Sequence, residues 1–190
     1  DLRFSGQSVP SFRMLPGADH VIHVGSFSKS LAAGLRLGYV VAPESLLTRL
    51  TPVQEVHTIA LPILSQAAVA RFITEGGFKR HVTKLRRALK ERRDAMLEAL
   101  HAHFPSEAEI TEPKGGMHLW VVLPEDFSSL ELLKDAIPQG LGFAPGPLFF
   151  ADGRGTNCLR LNFSTHEPGV TREAIARLGR LIHGRPAVAL

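Results

Sequence analysis

The chain has 190 residues, of which 44% are hydrophobic and 21% charged. This composition is typical of a folded globular domain and excludes an intrinsically disordered chain. No apolar run approaches the roughly 20 residues that span a bilayer, and residues 1–6 lack the pattern of a signal peptide. The single cysteine, Cys158, excludes an internal disulfide, and we expect a reducing, cytoplasmic location.

Two short strands are predicted near the start of the chain, on either side of a polar loop. Residues 20–25 have the pattern of a buried strand that ends in a glycine, and residues 37–42 that of a second strand. Residues 26–36 then form the connection between them. A helix is predicted to begin at Pro43-Glu44, because proline is tolerated in the first turn of a helix.

A long basic helix is predicted in the middle of the chain. Helical periodicity runs from Leu64 to Phe104 and is interrupted at Gly76-Gly77. Between Lys79 and Arg93 there are eight Lys or Arg residues, while apolar residues recur at helical spacing (Val82, Leu85, Leu89, Met96 and Leu100). Such a pattern indicates a solvated amphipathic helix. This interpretation is favoured over DNA binding, because no helix-turn-helix or zinc-finger pattern accompanies the basic residues.

The last third of the chain alternates between strand and helix patterns. The predicted strands are 116–123, 141–144 and 158–164, and the predicted helices are 128–137 and 171–182. A rigid turn is expected at Pro145-Gly146-Pro147. The alternation predicts a small α/β layer after the long helix, with Trp120 in its core and Cys158 buried.

The residues that carry chemistry lie in the connection between the first two strands. Lys29 follows the first strand, Ser26 and Ser28 precede it, and Arg36 comes seven residues later. Hydroxyl donors and a guanidinium group form a good cradle for a phosphate. A lysine amine beside that cradle can form a Schiff base with an aldehyde that the phosphate holds in place. From the residues alone, the alternative interpretation is that Lys29 is a solvent-exposed lysine on a polar turn.

The sequence S-F-S-K-x-x-x-x-x-x-R-x-G-Y at residues 26–39 resembles the attachment signature for pyridoxal 5'-phosphate (PLP) in fold-type I, class I and II aminotransferases. The resemblance covers nearly all of the chain; it extends through the long basic helix and through residues 61–66, 113–117, 143–146 and 159–164. It is nearest to the 2-aminoadipate aminotransferase-like group. The aminotransferase-like domains of GntR-type (MocR) transcriptional regulators share much of the same pattern.

This resemblance implies an α/β fold that is the C-terminal part of the PLP-dependent transferase fold. Residues 1–75 would be the C-terminal portion of the large PLP-binding domain, carrying the end of its sheet. Residues 76–104 would be a long connecting helix, and residues 105–190 a small C-terminal α/β domain. A homodimer is also implied, because such enzymes generally build their active sites at a dimer interface.

The resemblance assigns roles to five residues. Lys29 would form the Schiff base with PLP and shuttle a proton, while Ser26, Ser28 and Arg36 would bind the phosphate. Arg160 would bind the substrate α-carboxylate, although an arginine on a strand can also be an ion-pair partner. Asn162 and Trp120 are expected to be structural. No metal site is expected, because the nine histidines lack ligand spacing.

The expected function is transfer of an amino group between an amino acid and a 2-oxo acid. The alternative is a PLP-binding effector domain of a GntR/MocR-type regulator, which would contact nucleic acid only through an upstream DNA-binding module. A third hypothesis is a cofactor-free interaction domain. In the family, the aspartate at the pyridine nitrogen, the asparagine and tyrosine at the ring oxygen and the stacking aromatic all lie upstream of the segment that this chain matches. We therefore expect this polypeptide alone to be nearly inactive.

Overall fold

The computed structural model describes residues 2–58 and 61–184. These residues form two compact units: the first is built mainly from residues 6–85, and the second from residues 3–5 and from residue 86 onward. None of the helices in the described residues combines the length and apolarity needed to cross a bilayer. The predicted division into domains at residues 75 and 104 stays a prediction.

The first unit contains two strands, two helices and the beginning of a third helix. Its elements are β1 (His23–Ser26), β2 (Gly38–Val41), α1 (Glu44–Thr58), α2 (Ile63–Thr74) and the first part of α3 (Gly77–His103). The two strands are antiparallel, and the pair Ser26 and Gly38 stands at the base of the loop that connects them. β1 begins later than predicted, because residues 18–20 form a 3-10 turn.

The prediction that the first strand is buried is wrong for the described residues. Val24 on β1 is 73% exposed, and all four residues of β2 are exposed. The physical reason is that a sheet of two strands covers neither of its own faces, and apolar strands become buried only when other elements pack on them. In the first unit, the buried apolar side chains among the described residues are Ala42, Val69 and Val82.

The break between α2 and α3 lies where the two glycines predicted it. Gly76 has a φ of +73°, a backbone conformation that favours glycine and ends a helix. Helix α3 then buries the predicted apolar positions Val82, Leu89, Met96 and Leu100. Its basic face is largely exposed, as expected for an amphipathic helix, with one exception described below.

The second unit is built around a four-stranded antiparallel sheet. Its strands are β3 (Glu109–Ile110), β4 (His118–Val122), β5 (Ala144–Pro145) and β6 (Cys158–Asn162), in the spatial order β3-β4-β6-β5, and its further helices are α4 (Ser129–Ala136) and α5 (Pro168–His183). This arrangement confirms the predicted α/β layer. β3 was not predicted, because two residues are too few to show a strand pattern.

The core of the second unit follows the alternation of its central strands. Leu119 and Val121 on β4 and Leu159 and Leu161 on β6 are at most 4% exposed. Each such side chain contributes about 1.5–3 kcal/mol when fully buried. Trp120 was expected in this core, but it lies on the opposite face of β4 and is only half-buried, because neighbouring residues of a strand point to opposite faces.

Arg93 is the exception on the basic face of α3, since it is only 4% exposed. Its Nη1 donates a hydrogen bond to the carbonyl oxygen of Pro113 at 3.0 Å, and its guanidinium carbon lies 5.2 Å from the centre of the Phe4 ring. Its Nε is 2.7 Å from Oδ1 of Asp94. Burial raises the pKa of Asp94, but the hydrogen bond from Lys90 and the charges of Arg93 and Lys90 outweigh burial and lower the pKa overall.

Candidate active site

The loop that carries Lys29 and Arg36 is closed at its base by a backbone hydrogen bond. The amide of Phe27 donates to the carbonyl oxygen of Leu37 at 3.1 Å, directly beyond the last pair of β1 and β2. Inside the loop, the amide of Leu31 donates to the carbonyl oxygen of Phe27 at 2.8 Å. Residues 33–35 then form a single 3-10 turn. These bonds hold the two cationic residues within one folded loop.

The two serines before Lys29 form a small hydrogen-bonded turn. The backbone amide of Ser28 donates to Oγ of Ser26 at 3.1 Å. Ser26 is exposed and Ser28 is half-buried, whereas the next serine, Ser30, is only 5% exposed. The turn therefore leaves hydroxyl groups at the surface beside Lys29.

Lys29 and Arg36 are both exposed. Within residues 2–58 and 61–184, neither side chain has a hydrogen-bond or ion-pair partner. Arg36 also has a φ of 52° and a ψ of 36°, and it is the one non-glycine residue among those described whose φ is positive. This left-handed conformation is uncommon for a residue with a Cβ and concentrates at functional positions.

The groups in this loop fit a phosphate ester with a neighbouring aldehyde. A phosphate accepts several hydrogen bonds, and a guanidinium, serine hydroxyls and backbone amides are the donors that bind it best. The loop supplies Ser26, Ser28 and Arg36 as donors and Lys29 as an amine. The loop thus contains the types of donor that bind a phosphate and an amine that can react with an aldehyde.

A large open cavity of about 780 Å³ adjoins the base of this loop, where Phe27, Arg36 and Leu37 line it. Its walls are mostly apolar side chains of β2, α1 and α2, including Val40, Leu50 and Val69. Of the four predicted cofactor-binding residues, Arg36 lines it. Apolar walls do not compensate the desolvation of a phosphate, so the apolar side chains of this cavity are not phosphate ligands.

Arg160 lies in the middle of β6 in the second unit. It is paired with Trp120 on β4 and with Ala144 on β5. Because Leu159 and Leu161 point into the core, the side chain of Arg160 lies on the opposite face of the sheet. Its position is thus fixed by strands on both sides.

The side chain of Arg160 lies over an aromatic ring. Its guanidinium carbon is 4.5 Å from the centre of the Phe149 ring. Nε is buried and has no hydrogen-bond partner, and within the described ranges the side chain makes no hydrogen bond or ion pair. The alternative role for this arginine, as an ion-pair partner, has no support among residues 2–58 and 61–184, because no acidic side chain there pairs with it.

Asn162, at the end of the same strand, organises the turn that follows. Its Oδ1 accepts hydrogen bonds from the amide of Ser164 at 2.8 Å, from Oγ of Ser164 at 2.9 Å and from Oγ1 of Thr165 at 3.2 Å. Because Oδ1 accepts from these donors, Nδ2 faces Nε2 of His118, at 3.2 Å. These bonds give Asn162 a structural task next to Arg160.

Cys158, at the start of β6, is 6% exposed, and burial raises the pKa of its thiol even though a hydrogen bond with Trp120 opposes the shift. It is therefore a buried side chain whose thiolate form is disfavoured. In the part of the chain that the structure describes, no group of three or more His, Cys, Asp or Glu residues could hold a metal ion.

The structure brings Ser26, Ser28, Lys29 and Arg36 together in one loop of the first unit and places Arg160 on a strand of the second unit. Sequence reasoning missed the aromatic ring over Arg160. The available signal was the run Leu148-Phe149-Phe150 directly after the rigid turn at residues 145–147, since a run of large apolar residues after a turn needs a packing partner.

Comparison with known proteins identifies the family. The family model for aminotransferase class I and II matches residues 5–178. The 2-aminoadipate transaminase of Thermus thermophilus is 37% identical over 187 residues, which are 97% of this chain and 47% of that protein. The crystal structure of an α-aminoadipate aminotransferase from the same organism, complexed with N-(5'-phosphopyridoxyl)-L-leucine, superposes with a TM-score of 0.87 at 36% identity and covers 96% of this chain and 48% of that one.

Transcriptional regulators are also similar to this chain. An uncharacterized HTH-type regulator of Bacillus subtilis, YdfD, is 33% identical over 86% of this chain and 33% of its own length. The chain spans about half the length of the first curated relatives that it matches. Structural superposition with an aminotransferase confirms the expected C-terminal part of the PLP-dependent transferase fold. The chain belongs to the aminotransferase class I and II family.

Proposed function

We propose that this chain is the lysine-bearing and carboxylate-binding part of a PLP-dependent aminotransferase, which moves an amino group between an amino acid and a 2-oxo acid. The observation that carries the proposal is the loop at residues 26–36, which contains serine hydroxyls together with a lysine and an arginine that have no partner among the described residues. Family membership and a relative with a bound phosphopyridoxyl group support it.

In this proposal the loop binds the cofactor through separate groups. PLP, when bound, supplies an aldehyde and an electron-accepting ring. Arg36 and the hydroxyls of Ser26 and Ser28 hold its phosphate, because charged and hydroxyl donors bind such an anion well. Lys29 presents its amine to the aldehyde and then carries the proton at the substrate Cα.

Arg160 is proposed to bind the α-carboxylate of the substrate. A guanidinium group presents a planar fork of N–H donors that matches the two oxygens of a carboxylate. The absence of an ion-pair partner among the described residues leaves this fork available for a ligand. Arg160 lies on a central strand of the sheet, between β4 and β5, and this placement fixes its backbone and Cβ.

The whole protein is proposed to be a cytoplasmic homodimer whose partners are its amino acid and 2-oxo acid substrates. Residues that contact the cofactor ring are expected in the part of the relatives that this chain does not span. The polypeptide of 190 residues should therefore be nearly inactive by itself, because the ring accepts electrons poorly when its nitrogen is not protonated.

A second candidate is the effector domain of a GntR/MocR-type regulator, which would bind PLP at the same loop. The similarity to the HTH-type regulator of Bacillus subtilis favours it. The two candidates differ in what precedes Asp1. A winged-helix DNA-binding module encoded upstream would favour the regulator, whereas a PLP-binding domain that begins directly would favour the enzyme.

The test is a Lys29→Ala variant of the complete gene product. We expect it to lose the visible absorbance of bound cofactor and the transfer of amino groups to a 2-oxo acid, because no other amine lies in the loop. Lys79→Ala, an exposed lysine on helix α3, is the matched control and should keep both. Full activity of the Lys29→Ala variant would overturn the proposal.

A further inference from the structure

Phe149 is a large aromatic residue at the surface of the second unit. It ends the 3-10 turn Gly146–Phe149 that follows β5 directly, and its side chain is folded back over β6. It is nevertheless 42% exposed, so it contributes little to the core. Burial of apolar area is therefore only part of the reason for its position.

The contacts of Phe149 suggest that reason. One is the Arg160 guanidinium, 4.5 Å from the ring centre, and the other is the Trp120 ring, at 5.4 Å in an edge-to-face arrangement. Trp120 is itself the β-sheet neighbour of Arg160. The tryptophan therefore fixes the phenylalanine ring, and the ring in turn lies against the guanidinium.

We propose that Phe149 is a positioning residue, whose ring fixes the plane of the Arg160 guanidinium so that its outer N–H groups are presented to a carboxylate. This inference rests on the role proposed for Arg160 above. A cation–π contact with a ring face does not use up the N–H donors of a guanidinium, whereas a hydrogen-bonded partner would occupy them. The buried Nε, which has no partner among the described residues, fits a side chain that is held by its contact with the ring.

Phe149 acts on affinity by ordering the Arg160 side chain before the ligand binds. A free arginine side chain has many rotamers and loses that freedom when it binds a carboxylate with two parallel hydrogen bonds. A ring that already restricts the guanidinium removes part of this cost. Phe149 should therefore affect affinity for a charged carboxylate and leave binding of an uncharged analogue unchanged.

The next residue supplies a matched control. Phe150 has the same side chain and also contacts Trp120, at 6.1 Å between ring centres. Its guanidinium neighbour is Arg154, at 5.0 Å, instead of Arg160. Replacing Phe150 thus removes an aromatic ring from the same cluster but leaves the ring over Arg160 in place.

The experiment measures binding of butanoate and of butanamide to the complete gene product by calorimetry. Phe149→Leu should weaken binding of butanoate about fivefold, as expected from loss of a partly desolvated cation–π contact, with butanamide unchanged. Phe149→Tyr, which keeps the ring, and Phe150→Leu should both stay within about twofold of the original protein. Phe149→Met serves as a second non-aromatic variant if Phe149→Leu does not fold.

Each other outcome overturns the inference. Equal losses for butanoate and butanamide would make Phe149 a plain apolar contact, and equal effects of Phe149→Leu and Phe150→Leu would make it part of the general packing. Arg160→Met tests the role of Arg160 separately from the role of Phe149. If that variant binds butanoate as well as the original protein does, or if the original protein binds butanoate no better than butanamide, the role proposed for Arg160 fails first.

Discussion

The backbone conformation of Arg36 favours a glycine, whereas its proposed role needs a guanidinium group. Its φ of 52° is a conformation that costs a residue with a Cβ about 1–2 kcal/mol and costs glycine almost nothing. Gly34, two residues earlier, does not use this conformation. An arginine at the strained position supports the phosphate-binding role that we propose for its guanidinium.

We predict that Arg36→Gly separates stability from cofactor binding. Relief of the left-handed strain should raise the free energy of unfolding by about 0.5–1 kcal/mol, while loss of the cation should lower the affinity for PLP. Urea unfolding and a PLP titration of the complete gene product would measure both. Arg36→Ala is the control: it should lose PLP affinity to the same extent without the gain in stability. Equal stability of the two variants would contradict the strain argument.

The loop that carries Lys29 and Arg36 could be predicted from the sequence, because the strand patterns on either side of it are local. The roles of its residues stay a prediction. The ring over Arg160 is a different case. Phe149 and Arg160 lie on different elements, and they meet because β5 pairs with β6 in one particular register. A register between strands depends on the packing of the whole sheet, so this contact could not be read from spacing.

At the scale of elements, the turn from β5 to Phe149 depends on close approach of two backbone segments. A Cβ on Gly146 would lie 2.1 Å from the carbonyl oxygen of Gly155 and 2.6 Å from Cβ of Cys158. Both contacts belong to the segment that leads into β6 and towards Arg160. Since one contact is to backbone, relief would require the turn and the strand to separate.

We therefore predict that Gly146→Ala destabilises the second unit by about 1–3 kcal/mol, as expected for an inserted atom in a closely packed site. Gly142→Ala is the matched control, because a Cβ there meets nothing within 4 Å. It should change stability by less than about 0.5 kcal/mol. Thermal unfolding of both variants would test this, and comparable stabilities would show that the turn can adjust.

Most elements were predicted from periodicity, and the errors have a common cause. The break at Gly76, the amphipathic α3 and the closing helix α5 follow from local patterns, and the structure confirms them. The buried first strand and a core position for Trp120 were wrong, because both depend on what covers a given face. Periodicity gives the faces of an element, but tertiary packing decides which face is covered.

At the scale of the whole molecule, the two units differ in how well they bury apolar side chains. Of the 22 buried apolar residues in the described part of the chain, 19 belong to the second unit, whereas 17 of the 22 exposed large apolar residues belong to the first. Stability of a unit grows with the apolar area that it removes from water. The second unit thus has a core of its own, and the first has little.

We predict that this difference appears in hydrogen exchange of the 190-residue chain. Amides of β1 and β2 should exchange at nearly the rate of an unfolded peptide, because few buried contacts oppose local opening of the first unit. Amides of β4 and β6 should be strongly protected by the core that their side chains form. Mass spectrometry of peptides from each strand would measure both rates, and the complete gene product is the reference. Equal protection of β1 and β6 in the 190-residue chain would show that the exposed apolar face of the first unit does not limit its stability.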